Sequence, residues 1–158
     1  MSRYVRPRLA GASIFFTLAL ADRRSDLLVR NIAALREAVR QTRAERPFHI
    51  NAWVVLPDHM HCVWTLPEGD SGYSRRWSII KARFSRAMPF VERRESHVTR
   101  REHGIWQRRF WEHHIRDETD MINHVRYCWI NPVKHGLVGH PREWAFSSWH
   151  RDAGGPVW

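Results

Sequence analysis

Two histidines pose the first chemical question. His59 and His61 stand two residues apart in Val54-Val55-Leu56-Pro57-Asp58-His59-Met60-His61-Cys62-Val63-Trp64, a run of strand-forming residues broken by a Pro-Asp turn. On a strand, side chains at i and i+2 leave the same face, so both imidazoles can reach one point. That is what a divalent metal asks of its ligands. Two hydrogen-bonded or surface histidines would look the same in sequence, so the pair needs completing from elsewhere in the chain. Met60 and Cys62 point the other way, which disfavours a structural zinc site built from His59, His61 and a cysteine.

A second constellation lies near residue 130. Met121, Ile122, Val125, Cys128 and Trp129 make an apolar helical arc. At 100° per residue Tyr127 falls outside it, and Asn131, four residues on, shares the face of Tyr127. Asp120 and His124 fall on that face too, and for Asp120 the expectation is a solvated side chain. A phenol and an amide at this spacing before Pro132 also suit a surface tyrosine and a local cap.

The elements that must hold these residues follow from periodicity. The sequence predicts a strand over 12–20, a helix from Ser25 or Asp26 to about 45 with Leu28, Ile32, Leu35 and Val39 inward, and strands over 48–56 and 59–66. The last two are close enough to form an antiparallel hairpin across Pro57-Asp58. A helix over 74–88 buries Trp77, Ile80, Phe84 and Ala87; residues 91–104 read as a mobile charged loop; 105–115 is a fourth strand region. The helix with Tyr127 runs from Asp117 or Glu118 to Asn131, where Pro132 stops it. Residues 1–10 form a basic arm and 145–158 an irregular tail on a single 1–158 domain. Strand, helix, strand, strand, helix, strand is an α+β order, ferredoxin-like or like an RNA-recognition motif: an antiparallel sheet with helices on one face and an additional C-terminal helix.

Composition narrows the partner. The 158 residues carry a formal charge of +10 with nine Trp, seven Phe and three Tyr. Excess positive charge beside aromatics favours single-stranded nucleic acid, bound by stacking and phosphate contacts; at least half of the Trp should nevertheless be core. The two cysteines, Cys62 and Cys128, suit buried thiols in a cytoplasmic protein. The run from Ala10 to Ala21 has a signal-peptide look, ending Ala19-Leu20-Ala21, but reads better as the first strand and is too short to cross a membrane.

The segment Arg126-Tyr127-Cys128-Trp129-Ile130-Asn131-Pro132-Val133-Lys134-His135-Gly136-Leu137-Val138 resembles the signature of the REP-associated tyrosine transposases, members of the single-tyrosine HUH superfamily. The stretch from Trp53 to Trp64, Ile105-Trp106-Gln107-Arg108-Arg109-Phe110-Trp111 and Trp144-Ala145-Phe146-Ser147-Ser148 match in family order, from about Tyr4 to Trp149. One departure, Cys-Trp-Ile between the tyrosine and the asparagine, touches packing and not chemistry. The resemblance implies that His59, His61 and Asn131 are metal ligands and Tyr127 the nucleophile. It further implies Mg²⁺ or Mn²⁺ as cofactor, a 5′-phosphotyrosine intermediate with a free 3′-OH, and REP-type hairpin DNA with a flanking tetranucleotide as partner. To this we add His124, one turn before Tyr127, as a candidate general base, and Arg3, Arg6, Arg8, the 91–104 loop, Arg108 and Arg109 as candidate DNA contacts. The competing expectations are a non-catalytic, RRM-like single-stranded nucleic-acid-binding protein and a family member that binds DNA without cutting it. No membrane partner is expected. A monomer and a homodimer that exchanges the tyrosine helix are equally compatible with the sequence.

Overall fold

The computed structural model describes residues 5–88 and 104–152. All but the last residue of the expected 91–104 loop, Arg3 and the end of the tail lie outside these residues. The chain forms β1 (Ser13–Ala19), a single helical turn α1 (Leu27–Arg30), α2 (Ile32–Glu45), β2 (His49–Val55), β3 (His59–Thr65), α3 (Tyr73–Ala87), β4 (Trp111–His114), α4 (Glu118–Lys134), a 3-10 turn (Pro141–Glu143) and the short α5 (Trp149–Asp152). The four strands make one sheet in the order β2-β3-β1-β4, and every neighbouring pair is antiparallel. This is the α+β arrangement that the element order implies.

Alternation along the strands sorts the residues into two layers. Phe16, Leu18, Trp53, Val55, Met60, Cys62 and Trp64 belong to one core with Leu35, Trp77, Ile80 and Phe84 of α2 and α3. Its centre is aromatic: Trp64 and Trp77 stack at 4.1 Å between ring centroids, and Phe48 lies 4.0 Å from Trp64. Phe15, Ala52, Val54 and Val63, one residue out of phase, face the other way and pack with Met121, Val125, Tyr127, Cys128 and Trp129 of α4. So α4 covers the sheet face opposite α2 and α3, and that face carries His59 and His61.

Several boundaries differ from the sequence reading. The first helix breaks at Asn31, whose side-chain amide donates to the Leu27 carbonyl at 3.0 Å. The fourth strand region shrinks to Trp111–His114, while Trp106 bridges separately to Leu20. Pro132 does not end α4. It sits in the last turn, at the cost of the one bond that an N–H there would give the Cys128 carbonyl, and the helix runs on to Lys134. Gly136 ends it: at φ 70° it takes the left-handed position. The N–H of Leu137 then donates to Pro132 and that of Gly136 to Val133, both at 2.9 Å, closing a Schellman motif. At the other end Asp117 accepts the Asp120 N–H at 2.8 Å, a cap worth about 1 kcal/mol. The tail is less irregular than expected, since Ser147 bridges to Val54 of β2 and α5 follows. Ile122, assigned to the apolar arc, is 41% exposed. Four of the eight described tryptophans, 53, 64, 77 and 106, are buried, which meets the expected half among the described residues, and Trp111 alone of the eight is exposed.

Candidate active site

The β2–β3 turn sets the first half of the site. His59 opens β3 directly after Asp58, and the Asp58 carboxylate accepts the His59 Nδ1–H at 2.8 Å. Burial would raise the Asp58 carboxyl, but hydrogen bonds from Arg23 and His59 hold it below its ordinary range, so it stays an acceptor. Two residues on, His61 Nδ1 lies 2.8 Å from the Thr17 hydroxyl on neighbouring β1. With both Nδ1 atoms engaged, Nε2 is the atom each ring has left to offer, the arrangement that orients metal-ligating histidines. The rings are 5.0 Å apart and are 6% and 5% exposed. Burial pushes the His61 imidazole down to about 3 and lowers that of His59, the latter partly opposed by Asp58. Both rings are therefore neutral and ligand-competent at neutral pH.

Helix α4 supplies the second half. The Tyr127 ring lies 5.1 Å from that of His61, and the His135 ring lies 5.0 Å from that of His59. Residues 127, 131 and 135 form one stripe on a helix, so Asn131 faces the gap between the two imidazoles. Asn131 is fully buried, and neither its Oδ1 nor its Nδ2 has a hydrogen-bond partner; His61 Nε2 is likewise unpartnered. Buried polar atoms are rarely left this way, because each costs about 1–3 kcal/mol. The orphaned His61 Nε2 and Asn131 Oδ1, together with the Nε2 that His59 keeps once its Nδ1 is bonded to Asp58, fit a divalent ion with two imidazole ligands and one amide ligand. Lys134 Nζ sits 5.2 Å from the centre of the Tyr127 ring, a cation beside the phenol.

A carboxylate clamp adjoins the tyrosine. Asp120 is buried, against the expectation of a solvated side chain. Its Oδ2 accepts from the Arg116 backbone N–H at 2.9 Å and from His113 Nε2 at 2.8 Å. These two bonds, the backbone one first, hold its carboxyl down to about 2. His124 Nδ1 is 2.8 Å from the Asp120 carbonyl oxygen and 3.1 Å from Oδ1. A carbonyl only accepts, so the His124 proton is on Nδ1 and its Nε2 carries a lone pair. His113, Asp120 and His124 are also close enough to be considered metal ligands. However, the two imidazoles stack at 4.7 Å with planes only 19° apart. An ion must lie near the plane of each ring that binds it, and stacked rings do not share one. The cluster is a hydrogen-bonded clamp.

His59, His61, Tyr127 and Asn131 are thus brought together within one chain, with His124 beside them: Phe15 touches the rings of His61, Tyr127 and His124 at 5.7, 5.7 and 4.8 Å. The candidate DNA contacts are placed differently. Arg6 is paired with Glu112 and lies 3.8 Å over the Phe110 ring; Arg8, Arg108 and Arg109 are exposed. Cys62 is buried in the opposite layer, and both cysteines are free, with burial raising each thiol. Sequence reasoning missed Thr17, Asp58, Asp120, Lys134 and His135. Asp58 adjoins His59 and could have been read from that adjacency; Lys134 and His135 extend the Tyr127 helix, so a longer helix would have exposed both. Thr17 acts across a strand pairing that no local pattern reveals.

No protein-family profile matches the chain. Whole-chain comparison does find relatives. The chain is 49% identical over 152 residues to the REP-associated tyrosine transposase of Escherichia coli (strain K12), covering 96% of this chain and 85% of that protein. It is 44% identical over 157 residues to a Haemophilus influenzae relative of the same description, covering 88% of it. It is also similar to a REP-associated tyrosine transposase solved bound to a REP hairpin: TM-score 0.84, 47% identity, 98% of this chain and 86% of that one. Identity of this extent, over a fold that sets a tyrosine beside a buried histidine pair, shows that the chain belongs to the REP-associated tyrosine transposase family.

Proposed function

We propose that this transposase cuts and rejoins single-stranded DNA through a covalent bond to Tyr127, at hairpins of the REP type that its solved relative binds. The observation that carries the proposal is the position of the Tyr127 ring, 5.1 Å from His61, next to the orphaned amide of Asn131. Tyr127 Oη attacks the phosphorus, the bond from phosphorus to the 3′ oxygen breaks, and the departing 3′ oxygen takes a proton from water to leave as a free 3′-OH. The downstream strand is left as a 5′-phosphotyrosine. The phenol proton passes to His124 Nε2, whose tautomer the Asp120 clamp sets. Lys134 favours the developing phenolate. A phenol has a reference pKa of about 10, so phenolate is a better leaving group than an alkoxide. A second 3′-OH can then displace Tyr127 and reseal the strand without an outside energy source.

His59, His61 and Asn131 would hold Mg²⁺ or Mn²⁺, which would neutralise the scissile phosphate and fix its geometry. All three are neutral ligands, so the DNA phosphate should complete the site and raise metal affinity. The reading as an RNA-recognition-motif module loses its surface, because α4 covers the sheet face where such a module stacks bases. Buried free thiols fit a cytoplasmic enzyme. No helix among the described residues is long and apolar enough to cross a membrane. Incubation of the protein with labelled single-stranded hairpin DNA and Mn²⁺, followed by a denaturing gel, tests the proposal. A covalent band is expected from the wild type and none from Tyr127→Phe; a band of equal strength from the variant would refute the assignment.

A further inference from the structure

Trp111 has no part in the chemistry above, yet it is the exposed tryptophan of the described chain, at 57%. It starts β4, the edge strand, and pairs with Thr17, which pairs on its other side with His61. Residues opposite one another across antiparallel strands share a face, so Trp111, Thr17 and His61 form one row on the face that α4 partly covers. Two strand spacings place Trp111 about 10 Å from His61. The indole is fixed from one side. Its plane lies 7° from that of His113 at 6.1 Å, and it meets the Phe15 ring edge-to-face with centroids 5.8 Å apart. His113 in turn stacks on His124 and is tied to Asp120. A ladder of rings therefore runs from Tyr127 through Phe15, His124 and His113 to an indole open to solvent.

We propose that Trp111 is a stacking platform for one base of the single-stranded DNA next to the phosphodiester presented to Tyr127. The inference rests on the DNA-cleavage reading above and extends it to a base subsite. An exposed indole at the edge of a phosphoryl-transfer site, on a chain of charge +10, fits a flat aromatic ligand joined to phosphates. Stacking accepts any base, so this subsite positions the strand without reading its sequence.

The probe is a single-stranded REP hairpin carrying 2-aminopurine at successive positions around the cleavage point, with the wild type, Trp111→Ala and Trp111→Phe. The proposal expects fluorescence quenching at one flanking position with the wild type, lost in Trp111→Ala. Loss of one stacked base should weaken DNA binding by about tenfold or more in Trp111→Ala, and Trp111→Phe should retain most of the affinity. No phosphate contact is removed, so the slope of affinity against salt should not change. Unchanged quenching and affinity in Trp111→Ala overturn the proposal. So does an affinity loss shared equally by Trp111→Phe, which would mark a packing role. If the wild type binds and quenches but never forms a Tyr127 adduct, the cleavage reading fails and the stacking site stands.

Discussion

Asn131 shows most clearly how this site differs from a merely stable structure. Its buried amide has no partner, which costs stability unless a ligand satisfies it. Asn131→Leu, of similar volume, should leave the metal-free protein at least as stable in urea, while Mn²⁺ affinity measured with DNA bound falls by about tenfold or more. A clear loss of metal-free stability would mean that the amide is structural. His61 makes a related claim in pH. Above about 6.5, the free imidazole value, the ring is neutral folded and unfolded and contributes no slope. Below it the unfolded chain binds a proton that the buried ring refuses down to about 3, so stability should fall with acid across that window. Thermal melts of metal-free protein from pH 7 to 4.5 should show that slope, reduced in His61→Gln. The Asp120 carboxylate adds a second loss below its unfolded value near 4, continuing down to about 2. Spacing made the candidate site residues legible: i and i+2 for the histidines, i and i+4 for tyrosine and asparagine. It did not show what orients them. Thr17 and His61 are 44 positions apart, and the charge of Asp120 suggested solvent until β4 brought His113 against it.

At the scale of elements, α4 is the part on which the site depends. Its N-cap and apolar arc were readable, and the four strands, two of the helices and their order follow from periodicity. Its end was misread because a proline is a strong local signal, while a Schellman motif needs three backbone positions to agree. The misreading mattered, since the extra turn carries Lys134 and His135 to the site. Gly136 holds that turn at φ 70° with open space around its α-carbon. Gly136→Ala should therefore cost about 1 kcal/mol through backbone strain alone. Urea denaturation measures this; a change near zero would show that the helix end is not held by the motif. The breaks at Asn31 and before Trp111 were invisible for a different reason. Neither lies in hydrophobic periodicity: the first is a local competition, the Asn31 amide on the Leu27 carbonyl four residues back, and the second is tertiary, the pairing of β4 with only Ile14 to Thr17.

For the whole molecule, the sheet holds its two faces for different work. One is an aromatic core under α2 and α3, and the other joins β3 to α4 across the site. Because α4 lies on its own sheet, the proposed site draws Tyr127 and the histidines from a single chain. Mixing His61→Ala with Tyr127→Phe should therefore give no adduct above either variant alone. Recovery of activity in the mixture would mean that chains exchange the tyrosine helix. The charge of +10 favours a polyanionic partner from sequence alone, but does not say which arginines would meet it, and Arg6 is spent on Glu112 and Phe110. The most direct test of the central claim is the polarity of the covalent bond. Hairpin DNA labelled separately on either side of the cut is incubated with Mn²⁺ and protein, and the adduct peptide is identified by mass spectrometry. The downstream label should stay on the protein at Tyr127, and the upstream fragment should leave with a 3′-OH that a polymerase can extend. Retention of the upstream label, or attachment to any other residue, would contradict the account.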